Sequence, residues 1–221
     1  MIAKEIYSDS IPALSVNDSA QRALYFMEFF RVSRIPIIND DIFIGMLEEE
    51  NIIDIEKESS LISECKISLE HAFVGEYQHI YDVVSLVVQY KLSLVAVVDA
   101  DNNYLGAITP LDLLSSTKEI TSIDQSGSIL VLEIGIRDYV LSEIAQIAES
   151  NHIKILSSYI KTCTDQLNLK LTLKLNTNKL TGFKKTLERY SYKIVAVFSE
   201  SEMTDELENN RLDEFLHYLN I

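Results

Sequence analysis

The stretch Gly106-Ala107-Ile108-Thr109-Pro110-Leu111-Asp112-Leu113-Leu114 decides how this chain is read. It predicts the end of a strand running into the start of a helix. Tyr104, Leu105, Ala107 and Ile108 are apolar and partly β-favouring, and a helical apolar set follows at Leu111, Leu113 and Leu114. Thr109 is a good N-cap, Pro110 suits the first helical position, and Asp112 stands three residues after the cap. Two uses share this geometry. One is a well-capped helix, with Asp112 favoured by the positive end of the helix dipole. The other is an anion site, because a helix N-terminus entered through a glycine offers unpaired backbone N–H groups. A hydroxyl and a carboxylate placed there can grip a ribose and a phosphate.

Outward from this corner the chain repeats itself. Residues 11–16 read as a short strand, Asn17, Asp18 and Ser19 supply a helix start, and Ala20, Ala23, Leu24, Met27 and Phe30 recur at helical spacing. Ile35 to Ile38, the polar turn Asn39-Asp40-Asp41 and Ile42 to Leu47 read as strand–turn–strand, and Glu48 to Asp54 opens another helix. The same order returns with Ala72-Phe73-Val74, then the stripe Ile80, Val83, Val84, Val87 and Val88, then Leu94 to Val98, a turn from Asp99 to Asn103, and Tyr104 to Ile108. Ala20 falls on Ile80, Leu24 on Val84 and Pro36 on Ala96, each 60 positions on, while Gly45 falls on Gly106 at 61, so the second turn is one residue longer. A repeat of this length and order outweighs any single motif within it.

Two tandem β-α-β-β-α units with a Gly-hydrophobic-x-Thr/Ser-x-x-Asp corner resemble CBS domains, the regulatory module of the cystathionine-β-synthase type. The resemblance implies a pseudo-symmetric pair with clefts between the copies. It also implies an adenosyl ligand of the adenosine, AMP or S-adenosylmethionine type. Asp112 would hold the ribose hydroxyls and Thr109 would lie near the phosphate, with Gly106, Pro110, Ala96 and Val97 as further ligand-binding positions. The first copy departs from the pattern: Glu48 stands in the Thr place and Asn51 in the Asp place. Glu48, Glu49 and Glu50 suit a first helical turn but would repel a phosphate by about 1–4 kcal/mol, depending on the local dielectric. We therefore expect the adenosyl site of the first copy to be lost, with Asn51 still able to hydrogen-bond a ribose. The acidity of the chain favours ligands of little negative charge over ATP.

The second half has a different grammar. Ser128 to Ile136 reads as a strand, and Arg137 or Asp138 turns the chain into a helix striped by Leu141, Ile144, Ala145, Ile147 and Ala148. Ile153 to Lys161 is a strand with Ile153, Ile155 and Tyr159 alternating, and Leu167 to Leu175 alternates apolar and polar without a break, as a half-exposed strand does. Asn176-Thr177-Asn178 is expected to cap a helix carrying Leu180, Phe183, Leu187 and Tyr190, and Tyr192 to Phe198 is a last strand. The order β-α-β-β-α-β is that of a ferredoxin-like split unit. With Ile134 to Ile144 it resembles an ACT domain, a small-molecule sensing and dimerisation module. Arg137 and Leu141 fit that family's turn, but Tyr139 holds its glycine position and is expected to fill the ligand's approach. In the tail, Leu207, Leu212, Phe215, Leu216 and Leu219 suit one helical face, for packing on its own domain or on a partner.

The fold class expected is thus α/β (α+β): CBS repeat 1 over 1–60, repeat 2 over 61–117, a linker at 118–127 within the polar run 115–127, an ACT-like domain over 128–199 and an acidic, amphipathic helical tail over 200–221. This layout resembles the acetoin-utilisation regulator family, in which such modules stand without a catalytic domain. A net charge of −15 argues against nucleic acid and anionic membrane surfaces. There is no apolar run near the roughly 20 residues of a spanning helix, and no signal-peptide pattern at Met1 to Ile6. Cys65 and Cys163 are far apart and suit reduced cytoplasmic thiols. His71, His79, His152 and His217 form no metal-ligand or catalytic spacing, with His79 and His152 at helix ends. The expectation is a cytoplasmic, non-catalytic regulatory protein without metal or cofactor: a homodimeric sensor responding to an adenosyl ligand or, as the alternative, a dimeric interaction scaffold with degenerate sites, with an unknown protein partner.

Overall fold

The computed structural model describes residues 1–53, 60–65, 67–68, 73–164 and 166–199. The expectations for Asp54, His71, Ala72, His217 and the tail from Glu200 lie outside the described residues. The chain divides after Ser116 into two compact units.

The first unit contains the expected repeat. One copy is β1 (Leu14–Ser15), α1 (Ala20–Phe30), β2 (Arg34–Asn39), β3 (Ile42–Glu48) and the short α2 (Glu50–Ile53). After β4 (Ile67–Ser68) the other copy follows as β5 (Phe73–Gly75), α3 (Ile80–Tyr90), β6 (Val95–Val98), β7 (Tyr104–Ile108) and α4 (Pro110–Thr121). Each copy pairs its first strand in parallel with the next and closes with an antiparallel hairpin. The sheets run β1-β2-β3-β4 and β5-β6-β7. The two long helices start and stop alike. Ser19 Oγ accepts from Arg22 N at 3.2 Å, and His79 Nδ1 accepts from Tyr81 N at 3.3 Å. Arg31 and Lys91 end them in the left-handed region, at φ 56° and 51°. Each helix buries the same face, Ala20, Ala23 and Met27 in one and Ile80, Val83 and Val87 in the other, because these recur at helical spacing. Val88, expected in the buried stripe of the second copy, is exposed instead.

Equivalent residues of the two copies meet. Ser33 Oγ and Ser93 Oγ, sixty positions apart, lie 2.9 Å from each other. Phe43 N donates to Asn102 O at 2.9 Å, and the matching Tyr104 N donates to Asp41 O at 3.1 Å. Mutual contact of this kind is the mark of a two-fold relation. Ile11, Val32, Phe43, Met46, Leu94, Ala96, Val98 and Ala107 form a core cluster drawn from both copies.

The segments leading into the copies are exchanged. Ala3 N and Lys4 N donate to Gln78 O and Glu76 O, and Ser8 bridges Ala107, so residues 1–8 pack on the second copy. Ile62 N and Ser63 N donate to Asp18 O and Val16 O, and β4 pairs with β3, so residues 60–65 and 67–68 serve the first. Ala3 and Ile62 are both fully buried in these matching places. The polar run expected as a connection is helical in its first part, since α4 continues to Thr121. Within the apolar set that follows the corner only Leu113 is buried; Leu111 and Leu114 are 70% and 65% exposed.

The second unit is β8 (Ile129–Gly135), α5 (Leu141–Ser150), β9 (Ile155–Thr162), β10 (Asn168–Leu175), α6 (Thr181–Arg189) and β11 (Lys193–Phe198). The sheet order is β11-β8-β10-β9 with every pair antiparallel, which is the ferredoxin-like arrangement. Leu130, Leu132, Ile134, Leu169, Leu171, Leu173 and Leu175 point to one face and pack with Ile144, Ile147, Phe183 and Leu187 of the helices. The alternating strand β10 lies inside the sheet and is buried on one face and partly exposed on the other, as its alternation implies. Two local expectations change. A register shift opposite Lys174/Leu175 turns Tyr159 to the face opposite Ile155. Asn176 and Thr177 do not cap α6. Asn176 Oδ1 accepts from Lys154 N and Thr177 Oγ1 from Lys179 N, and the helix starts after Leu180 without a side-chain cap.

Candidate functional site

The corner between β7 and α4 is built as the sequence implies. Thr109 Oγ1 accepts from Asp112 N at 3.2 Å, while Asp112 Oδ2 accepts from Thr109 N at 2.8 Å and from Thr109 Oγ1 at 2.7 Å. This reciprocal box fixes both side chains at the start of α4. It engages one carboxylate oxygen and leaves Oδ1 without a protein partner among the described residues.

A cavity of about 550 Å³ opens beside them, lined among others by Ser8, Ser10, Phe30, Arg31, Thr109 and Asp112. That volume falls in the range of roughly 300–1,000 Å³ typical of small-molecule sites. Three pieces of chain meet here: the corner of the second copy, the segment around Ser8 to Ile11, and the end of α1 from the first copy. Ser8 Oγ and Ser10 Oγ lie 2.6 Å apart. Tyr104 OH donates to Ile11 O at 3.0 Å and pins this segment, and burial pushes its phenol above the ordinary value. Arg31 and Phe30 add a cation and an aromatic ring to the lining of the cavity that holds the Asp112 carboxylate.

Of the residues expected to bind a ligand, Thr109, Pro110 and Asp112 line this cavity. Ala96 and Val97 do not; both are fully buried in β6, in the shared core and in the core of the second copy. Gly106 is buried too, and its need for no side chain comes from the N-terminal segment. A Cβ there would stand 2.5 Å from the Tyr7 ring and 2.7 Å from Ser8 O. Ser8, Ser10, Phe30, Arg31 and Ser93 were not singled out from the sequence. Their signal was the repeat itself, since the two-fold relation brings the end of the first long helix to the corner of the second copy.

The related corner of the first copy is different. Its hollow of about 450 Å³ is lined by Ser33, Arg34, Glu48, Glu49 and Glu50. Arg34 Nη2 lies 3.4 Å from Glu48 Oε1, so the one cation there is already matched. Among the described residues no group of three or more His, Cys, Asp or Glu could hold a metal ion, and no helix is long and apolar enough to cross a membrane. Burial raises the Cys65 thiol, with Glu64 adding to it, which keeps it protonated and a poor nucleophile. In the second unit Tyr139 is partly buried and packs against the core.

Comparison with known proteins gives this architecture its class. Residues 3–58 and 68–119 each match the family model of the CBS domain, so the first unit carries tandem CBS domains. A CBS domain pair/ACT domain protein from Thermotoga maritima is 22% identical, over 54% of this chain and 98% of its own, with a TM-score of 0.48. The CBS domains of a transcriptional regulator from Streptococcus pneumoniae are 24% identical over 52% and 98%, with a TM-score of 0.46. CBSX2, solved in complex with AMP, is 15% identical over 52% and 95%, with a TM-score of 0.46.

Proposed function

We propose that the chain is a non-catalytic regulatory protein that binds an adenosyl ligand in the cavity of its second CBS copy. The observation that carries this reading is the convergence of Thr109, Asp112 and Arg31 on one cavity of about 550 Å³. Asp112 Oδ1 and the Ser8 and Ser10 hydroxyls suit ribose hydroxyls, while Thr109 and the N-terminus of α4 suit a phosphate. One guanidinium matches one phosphate. In a chain of net charge −15 this favours adenosine, AMP or a cationic adenosyl sulfonium over ATP. The first copy takes no such ligand, because Glu48 to Glu50 line its corner. Binding would regulate by favouring one of two states of the protein, which requires different affinities for them.

The two CBS copies followed by a ferredoxin-like unit support the resemblance to the acetoin-utilisation regulator family and a place in the cytoplasm. Exposed apolar residues on α1, α3 and α4, among them Phe29, Val88, Leu111 and Leu114, support a homodimer. A second reading, a dimeric scaffold with idle sites, is favoured by one observation: Asp112 Oδ2 is already committed to capping α4.

Calorimetric titration with adenosine, AMP, ATP and S-adenosylmethionine, run beside Asp112→Ala, separates the two. Binding that disappears in the variant supports the sensor. No heat from any of the four, with a folded dimer in the cell, supports the scaffold. ATP binding more tightly than AMP without magnesium would overturn the charge argument.

A further inference from the structure

The sheet of the second unit has a helix-covered face and an outer face, and the register defines what the outer face carries. One row across the strands is Lys193, Glu133, Lys170 and Lys161; the next is Ala196, Val131, Thr172 and Tyr159; the third is Phe198, Ile129, Lys174 and Ser157. Phe198 and Tyr159 are 59% and 60% exposed. Lys193 pairs with Glu133 at 2.6 Å, whereas Lys161, Lys170 and Lys174 have no carboxylate partner among the described residues. The face is therefore apolar along one diagonal and basic beside it. A hollow of about 260 Å³ lined by Ile123, Ile129, Tyr159 and Lys174 indents it. That is below the size usual for small-molecule sites and suits an inserted side chain.

We propose that residues 205–221 of the same chain dock on this face. Three observations select that occupant. The tail leaves the sheet from β11, whose last residue Phe198 lies on the face itself. Leu212, Phe215, Leu216 and Leu219 follow the spacing of one helical face. Residues 200–221 hold seven Asp or Glu and one Arg, which complements the three lysines that lack a carboxylate partner among the described residues. A second copy placed face to face would instead set lysines against lysines. Reach is no obstacle. Leu212 stands thirteen residues beyond Ser199, a span of up to about 43 Å when extended, against about 14 Å across four strands. The tether makes docking intramolecular and raises its effective concentration.

The test uses the full chain with Cys65→Ser and Cys163→Ser, and Thr172→Cys as the only thiol. Alkylation of that thiol should be at least tenfold slower than in the same chain carrying Phe215→Asp. Equal rates overturn the proposal. Tyr159→Cys serves as a second reporter if Thr172→Cys disturbs folding by circular dichroism. Adding Leu216→Cys to the Thr172→Cys chain should give, on oxidation, a disulfide within one chain. A product that is only intermolecular overturns the proposal and assigns the face to a second copy.

Discussion

The two CBS copies of the first unit share a backbone and differ at one corner. In the second copy Thr109 and Asp112 close a turn with one hydroxyl and one carboxylate, on a cavity that Arg31 also lines. In the first, Glu48, Glu49 and Glu50 occupy the related positions and Arg34 is held by Glu48. Both corners serve their helices, since acids are favourable in a first turn. On the proposed reading only one suits a phosphate, since three glutamates line the other. A fold can therefore keep its symmetry through its core while its ligand chemistry becomes one-sided, because the core depends on apolar shape and the corner on charge.

The largest effect should come from breaking what the copies share. Phe43→Ala removes a fully buried ring from the cluster drawn from both, and should cost about 3–5 kcal/mol in urea unfolding. A loss under 1 kcal/mol would mean the copies do not depend on this common core. Gly106→Ala comes next. Its Cβ meets the Tyr7 ring and Ser8 O, so stability should fall by about 1–3 kcal/mol as the N-terminal segment is displaced. Unchanged unfolding would show that this segment yields freely.

Asp112→Ala should weaken the adenosyl ligand about 10- to 150-fold, the equivalent of about 1.5–3 kcal/mol. It should also cost about 1 kcal/mol of stability through the lost cap. Asn51→Ala should leave the affinity unchanged, and a fall there would place the ligand in the first copy. The converse change, Glu48→Thr with Glu50→Ala and Asn51→Asp, should raise the calorimetric stoichiometry from one towards two per chain. A stoichiometry that stays at one would mean that the side chains of the corner are not what separates the copies.

The smallest effect concerns the hairpin turns. Asn103, through its side chain and then its backbone, and the Asp101 backbone hold the Asp99 carboxyl below its ordinary 3.8. The related position in the first copy is Asn39, which has no charge to lose. A depressed carboxyl contributes stability that is present above its unfolded value and lost as pH falls through the folded one. Asp99→Asn should thus flatten the acid limb of a stability–pH curve below about pH 4, whereas Asn39→Ala should leave its shape intact.

Much of this was legible in residue order. The sixty-residue repeat appears as two matching helices and hairpins because apolar spacing and caps are local signals. The capping pair Thr109 and Asp112 was legible for the same reason. Arg31 and Ser8 were not, because each is remote in sequence from the corner it faces. The close neighbour of Gly106 was not legible either, since it is Tyr7, about a hundred positions earlier. Tyr159 was placed on the wrong face because an irregularity in strand pairing resets the alternation, and the partner strand decides it.

The sequence by itself determined the elements, the repeat and the unequal chemistry of the two corners, since spacing, capping and charge act over a few residues. Only the tertiary structure decided that residues 1–8 complete the second copy, that Arg31 crosses to its cavity, and that β10 lies within its sheet. These depend on which distant surfaces bury each other, and burial is non-directional and carries no marker of its partner in the local order of residues.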